Sequence, residues 1–289
     1  MKQILVLTDY SACAKKAMQY AIELAQTIKA QLHFCHAIDL PAANAFSDLS
    51  PLPALDHPEL REEAVQQLRE YIAAFQKNDC PALDKIPFTC STGIGTATEV
   101  AQKLAQTQKI NLIVMGLTGT SAVRRLLLGS NSRQMIDSAP VPVLLIPENA
   151  GFVPLKKIGF ATDLTESDLN AIHEVALLFS AFDPELLLTH VSAAPSDFHD
   201  PRTPANQFLN RVTCKINYAK IYYRHITQAD INEGLLWISE HGRMDMMAMI
   251  HRKTSGLSAI LRGSYTQKMA DMICLPLLVM PENHEPIGW

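Results

Sequence analysis

Residues 2–9, KQILVLTD, and residues 156–163, KKIGFATD, are the two stretches on which the fold turns. Each is a short apolar run closed by Thr-Asp, and each leads into a helical pattern. After the first come Ala14, Met18, Ala21, Ile22 and Ala25; after the second come Ile172, Val175, Ala176 and Phe179, at the three-four spacing of a helix packed on one side. Ser11 and Thr165 stand where N-caps belong. A second apolar run follows in each copy, 31–38 (QLHFCHAI) and 185–191 (ELLLTHV), which puts His36 and His190 at equivalent positions. A β-α-β unit thus occurs twice, and a duplicated unit fixes architecture more firmly than local propensity does.

Working outward, the first copy continues with an amphipathic helix at 58–77, a strand at 86–91, a helix at 97–108 and a strand at 111–115. The second copy repeats the later elements at 220–227, 230–240 and 245–250, with some twenty residues fewer between its second and third strands. Both copies close on a proline-flanked apolar run, 141–147 (VPVLLIP) and 275–281 (LPLLVMP), where the prolines favour a sheet edge or a strand start. Strands alternating with helices, and nearly unbroken apolar strands, argue for parallel sheets covered on both faces. The expectation is an α/β protein of two tandem, doubly wound, five-stranded parallel-sheet, Rossmann-like domains, at 1–148 and 155–283, joined by a linker at 148–154.

Composition sets the outer limits. A chain of 289 residues is long enough for two cores, and 48% hydrophobic with 19% charged residues is ordinary for a soluble globular protein. A net charge of -4 without a long basic run argues against a nucleic-acid partner. No membrane-length apolar stretch or signal-peptide pattern is present, so the sequence reads as cytoplasmic. The six cysteines form neither a C-x-x-C pair nor a Cys/His ligand cluster and read as reduced, mostly buried thiols. His33 and His36 point to opposite faces of one strand, so they do not share a metal, and His36 reads as structural or pocket-lining. Met244, Met246, Met247 and Met249 fall on a buried strand and read as packing residues.

The chemistry concentrates after the fourth strand. The chain reads Gly116-Leu117-Thr118-Gly119, then nine residues, then Gly129-Ser130-Asn131-Ser132. In a doubly wound sheet, ligands sit beyond the carboxyl ends of the strands, where Gly116 falls. Glycines let backbone N–H groups approach a phosphate, and Gly129-Ser130 opens a helix whose positive end favours an anion, with hydroxyls from Ser130 and Ser132. Arg124 and Arg125 stand within the nine-residue stretch, and the leucines at 126–128 read as a cover for this loop or a partner surface. Gly93-Ile94-Gly95 lacks a third glycine and reads as a strand-helix turn, and no Walker loop occurs. No Ser-His-acid, Cys-His or paired-carboxylate arrangement stands out.

The G-x-x-G-x9-G-S pattern, in a β-α-β chain whose first strand ends in Asp9, resembles the ATP-binding members of the universal stress protein family, and the tandem arrangement is similar to its two-domain members. The resemblance covers nearly the whole chain and implies an adenine nucleotide alpha hydrolase-like fold. It implies that Asp9 contacts the adenosine, that Ala37 lines the adenine pocket and that Gly116, Gly119, Gly129 and Ser130 hold phosphates. Thr8 and Met115, at the two strand ends, and Asn131 and Ser132, on the opening helix, complete the candidate set. Asn131 departs from the family's usual valine. Asp9 is also the candidate for a magnesium ion held through water.

In the second copy Ile250 and Lys253 replace the two glycines, when the copies are aligned on Gly263-Ser264. Side chains there block close backbone approach, so ATP is expected in the first domain alone. His251 and Arg252 are expected in a solvated loop, with an anion site as the other reading. The leading expectation is a regulatory ATP-binding stress protein whose second domain is an intrachain pseudo-dimer mate, paired through 141–146 and 275–280, with room for a homodimer of chains. A slow ATPase or nucleotidyl-transferring enzyme, and a nucleotide-free scaffold or binder of another small molecule, are the alternatives.

Overall fold

The computed structural model describes residues 2–39, 58–117, 129–194, 200, 202–252 and 264–282. Gly119, Arg124, Arg125, the leucines at 126–128, Lys253 and Gly263 lie outside the described residues.

The first half contributes β1 (Gln3–Leu7), α1 (Ala12–Ile28), β2 (Gln31–Ile38), α2 (Pro58–Asn78), β3 (Phe88–Ile94), α3 (Ala97–Thr107), β4 (Leu112–Leu117), α4 (Ser130–Ser138) and β5 (Val143–Pro147). The second contributes β6 (Lys157–Ala161), α5 (Glu166–Leu178), β7 (Glu185–Ser192), α6 (Pro204–Lys215), β8 (Ile221–Thr227), α7 (Ile231–His241), β9 (Met246–His251), α8 (Tyr265–Met272) and β10 (Leu277–Pro281). One ten-stranded sheet runs β3-β2-β1-β4-β5-β10-β9-β6-β7-β8. Pairing is parallel within each half, and the halves meet where β10 runs antiparallel to β5, Leu277 opposite Leu145 and Val279 opposite Val143.

Burial follows position in the sheet. β5 and β9 are buried along their whole length, as parallel strands covered on both faces must be, whereas the outermost strands β3 and β8 are partly exposed. The proline-flanked strands are therefore central, not edges. Pro142 and Pro276 stand immediately before β5 and β10, where a missing N–H leaves no ladder bond unmade. Met246, Met247 and Met249 are core residues of β9, and Met244 is buried just before it.

The connections refine the sequence reading. α6 was not anticipated; it starts with Pro204 in its first turn behind the N-cap Thr203, whose side chain accepts from Asn206 N. The shorter second copy is confirmed, since the β2-to-β3 connection spans 39–87 and the β7-to-β8 connection only 193–220. The linker is packed: Ala150 is buried, and Phe152 meets the ring of Tyr20 edge-on at 5.1 Å. All six cysteines are free, but Cys214 and Cys274 are exposed, which corrects the expectation for those two. Among the described residues no helix is long and apolar enough to cross a membrane.

Helices α4 and α8 face each other across the β5–β10 seam. Gln267 donates to Asp137 Oδ1 at 2.7 Å, and the matching pair, Arg133 and Asp271, lies at 3.9 Å. Asp137 also lies 3.2 Å from Nε2 of the buried His251, at the end of β9.

Candidate functional site

The turn after β1 is built by its own side chains. Tyr10 adopts φ 64°, a left-handed conformation that disfavours a side chain by about 1–2 kcal/mol. Its N–H donates to Thr8 Oγ1 at 3.1 Å, Ser11 N–H donates to Asp9 Oδ1 at 3.0 Å, and Ser11 Oγ accepts from Ala14 N–H as the α1 cap. His36 Nδ1 donates to the Thr8 carbonyl at 2.8 Å, which fixes the end of β1 against β2. The second half repeats this turn: Leu164 has φ 64° and donates to Thr162 Oγ1, and His190 Nδ1 donates to the Thr162 carbonyl at 2.8 Å. The equivalent histidines inferred from the repeat thus make the same bond, a structural role beside the cleft.

Beyond the carboxyl ends of β1, β2 and β4 lies a cleft of about 830 Å³ lined by Thr8, Asp9, Ala37, Met115, Gly116, Gly129, Ser130, Asn131 and Ser132. Every described member of the candidate set therefore lines one cavity. Sequence reasoning missed Ser11, Cys13, Asp39 and Ala97, which line it too; only their placement just after strands, or at the first turn of α1 or α3, marked them. Burial, with help from Glu148 and Asp9, pushes the Cys13 thiol up to about 11, so it stays protonated at neutral pH.

Two glycines have separate reasons. A Cβ on Gly116 would come within 2.8 Å of the Cys13 carbonyl carbon, its oxygen and its sulfur. Gly116 is thus needed for packing: α1, with Ala17, Ala21 and Ala25 inward, lies close on β4 and β5. Gly129 is the N-cap of α4 at φ -56° and ψ 147°, a conformation open to any residue, and it offers no side-chain acceptor. The first N–H groups of α4 therefore reach the cleft without a side-chain cap from Gly129.

The second half has a cleft at the same place, of about 770 Å³. Register equates Gly116 with Ile250 and Leu117 with His251, since these pairs stand opposite Ile146 and Met280, and Pro147 and Pro281. Arg252 donates to Asp163 Oδ2 and Asp168 Oδ1, each at 2.6 Å, and to Thr165 Oγ1 at 2.9 Å. Asp168, fully buried, also accepts from Thr162 Oγ1 at 2.8 Å and Asp163 N at 3.0 Å. Helix α8 is capped by Ser264, whose Oγ accepts from Gln267 N–H at 3.2 Å. The expectation of a solvated basic loop at His251 and Arg252 is therefore corrected: His251 is buried, and the guanidinium is held by internal carboxylates in place of an external anion. Ser264 Oγ, His251 Nδ1 and Asp137 form a chain at 3.3 and 3.2 Å that the sequence did not reveal. The Ser264 hydroxyl also accepts the helix-cap bond, so the chain ties α8 and β9 to α4 across the seam.

Two Rossmann-like halves, each with a cleft at the carboxyl ends of its strands and joined through their last strands, define a tandem α/β protein of doubly wound type. The chain belongs to the universal stress protein family, whose model matches residues 1–147. A universal stress protein of Thermus aquaticus is 33% identical over 146 residues, covering 50% of this chain and 98% of that one. One from Methanocaldococcus jannaschii is 28% identical over 155 residues, covering 50% and 81%. A solved universal stress protein from Archaeoglobus fulgidus shares the fold over both halves, with a TM-score of 0.72 at 15% identity, covering 97% of this chain and 98% of that one.

Proposed function

We propose that the first half binds ATP in the cleft between Asp9 and the start of α4, and that occupancy of this cleft regulates the protein in a stress response. The observation that carries the reading is the open start of α4: its N-cap Gly129 offers no side-chain acceptor, whereas in the second half Ser264, the residue matching Ser130, is itself the cap of a helix that begins one residue later. Backbone N–H groups at a helix start, with its positive dipole end, suit phosphate. Ser130 and Ser132 add hydroxyls and Asn131 an amide donor on the same turn. Thr8, Asp9, Ala37 and Met115, toward the ends of β1, β2 and β4, line the same cleft and suit the nucleoside, with Gly119 expected on the phosphate side. Magnesium would arrive with the nucleotide and meet Asp9 through water.

In this reading the second domain, 155–283, is the pseudo-dimer mate of the first, 1–148, and its cleft does not take ATP, because Ile250 and the Arg252 ion pairs occupy the approach. Calorimetric titration with ATP tests the proposal, together with mass spectrometry of ligand released from freshly purified, denatured protein. One site per chain is expected. A titration without heat, and without a thermal shift, overturns it. Turnover of labelled ATP would make the protein an enzyme.

A further inference from the structure

The second cleft differs from the first in what it leaves available to a ligand. Val191, Ile231, Leu235 and Met249 give it an apolar wall. The cation at its mouth is already paired: the Arg252 guanidinium is bonded to the carboxylates of Asp163 and Asp168, and the Ser264 hydroxyl accepts from Gln267 N–H and lies 3.3 Å from His251 Nδ1. A phosphate entering here would have to displace two carboxylates and then stand beside them, which is electrostatically unfavourable. An apolar ligand meets no such opposition.

The geometry also supplies flat surfaces. A guanidinium held on two carboxylates is a fixed planar group that stacks on π systems. Tyr265, at the first position of α8, lines the cleft while 46% exposed, and a large aromatic ring left that open at the mouth of an apolar cavity suits contact with a ligand. We infer that the second cleft binds an uncharged, planar aromatic small molecule, held by Val191, Leu235 and Met249 and stacked at the mouth by Arg252 and Tyr265. This site is independent of nucleotide binding in the first half.

The test uses N-phenyl-1-naphthylamine, a neutral fused-ring fluorophore, titrated into the full chain. A saturable rise in fluorescence at one probe per chain is expected, unchanged by excess ATP. Ile231 and Ala97 are the first residues of α7 and α3 and line the second and first clefts, so they provide a matched pair of filling substitutions. Ile231→Trp should weaken the probe at least about tenfold, and Ala97→Trp should leave it unchanged. Tyr265→Ala, at an exposed position that tolerates truncation, should weaken it by about fivefold and decides the matter if Ile231→Trp fails to fold by circular dichroism. The inference is overturned if fluorescence does not saturate, if ATP displaces the probe, if binding is lost in Ala97→Trp rather than Ile231→Trp, or if Tyr265→Ala leaves the affinity untouched.

Discussion

Replacing Gly129 by aspartate separates stability from ligand binding. At φ -56° and ψ 147° the backbone accepts any residue, and the new carboxylate would sit at the N-cap of α4, within reach of the Asn131 or Ser132 N–H. Exchanging a glycine cap for aspartate is worth a few tenths of a kcal/mol, and a negative charge at the positive helix end adds about 0.3–1 kcal/mol. Gly129→Asp should therefore raise stability by about 0.5–1 kcal/mol, which for a protein of this size is a rise of about 1–4 °C in Tm. The same carboxylate would occupy the N–H groups assigned to phosphate and repel it. Two unit charges at 4 Å interact by about 4 kcal/mol at an effective dielectric of 20; with Gly129 half-exposed, about 2 kcal/mol is the safer value, a loss of about thirtyfold in ATP affinity. Gly129→Asn caps without charge and should weaken ATP by less. Differential scanning calorimetry and isothermal titration on the three proteins give both quantities. If Gly129→Asp holds its melting temperature and still binds ATP within about threefold of the parent, the phosphate does not sit on α4 and the reasoning fails.

Gly116→Ala should lower stability by about 1–3 kcal/mol in urea unfolding, because its Cβ meets Cys13 at 2.8 Å, and Cys13→Ala should not restore it, since the carbonyl group is part of the clash. Arg252→Met leaves the fully buried Asp168 without its cation and should reduce stability by about 2–4 kcal/mol, the remaining hydrogen bonds to Asp168 moderating the loss; Arg252→Met with Asp168→Asn, which removes the buried charge and keeps an oxygen acceptor, should recover part of it in the same assay. His33 is buried against the Thr89 and Ser91 hydroxyls, each at 2.7 Å, and burial holds its imidazolium below the usual range. The unfolded chain therefore binds the proton more readily, so stability is full above about pH 6.5 and falls as pH drops through that value, a slope that His33→Gln should reduce in denaturant midpoints taken from pH 7.5 to 5.

The duplicated Thr-Asp strand ends made the fold readable from sequence, because each local signal reports a local cause: apolar runs bury, Ser11 caps, Gly129 opens a helix. The cleft was readable for the same reason, since its walls are strand ends and helix starts whose positions the β-α-β order dictates. What was hidden depends on distance along the chain. The bonds from Arg252 to Asp163 and Asp168 close over more than eighty residues, and Asp168 looks like any polar residue in the first turn of a helix. Gly116 was read as making room for phosphate, whereas a second reason, the close approach of α1, depends on packing that no spacing displays. Helix α6 escaped notice because Pro204 and the polar residues around it resemble a loop until Thr203 is seen to cap it.

The β5–β10 seam carries a further consequence. Where two identical chains meet about a two-fold axis, every facing pair occurs twice, and a change on one side is imposed on the other. Here both sides belong to one chain, so Asp137 meets His251 at one end while the residue matching His251 at the other is Leu117, which has no ring to offer Asp271. Covalent fusion thus turns a symmetric joint into a directed one, with a front and a back that point mutations can alter independently.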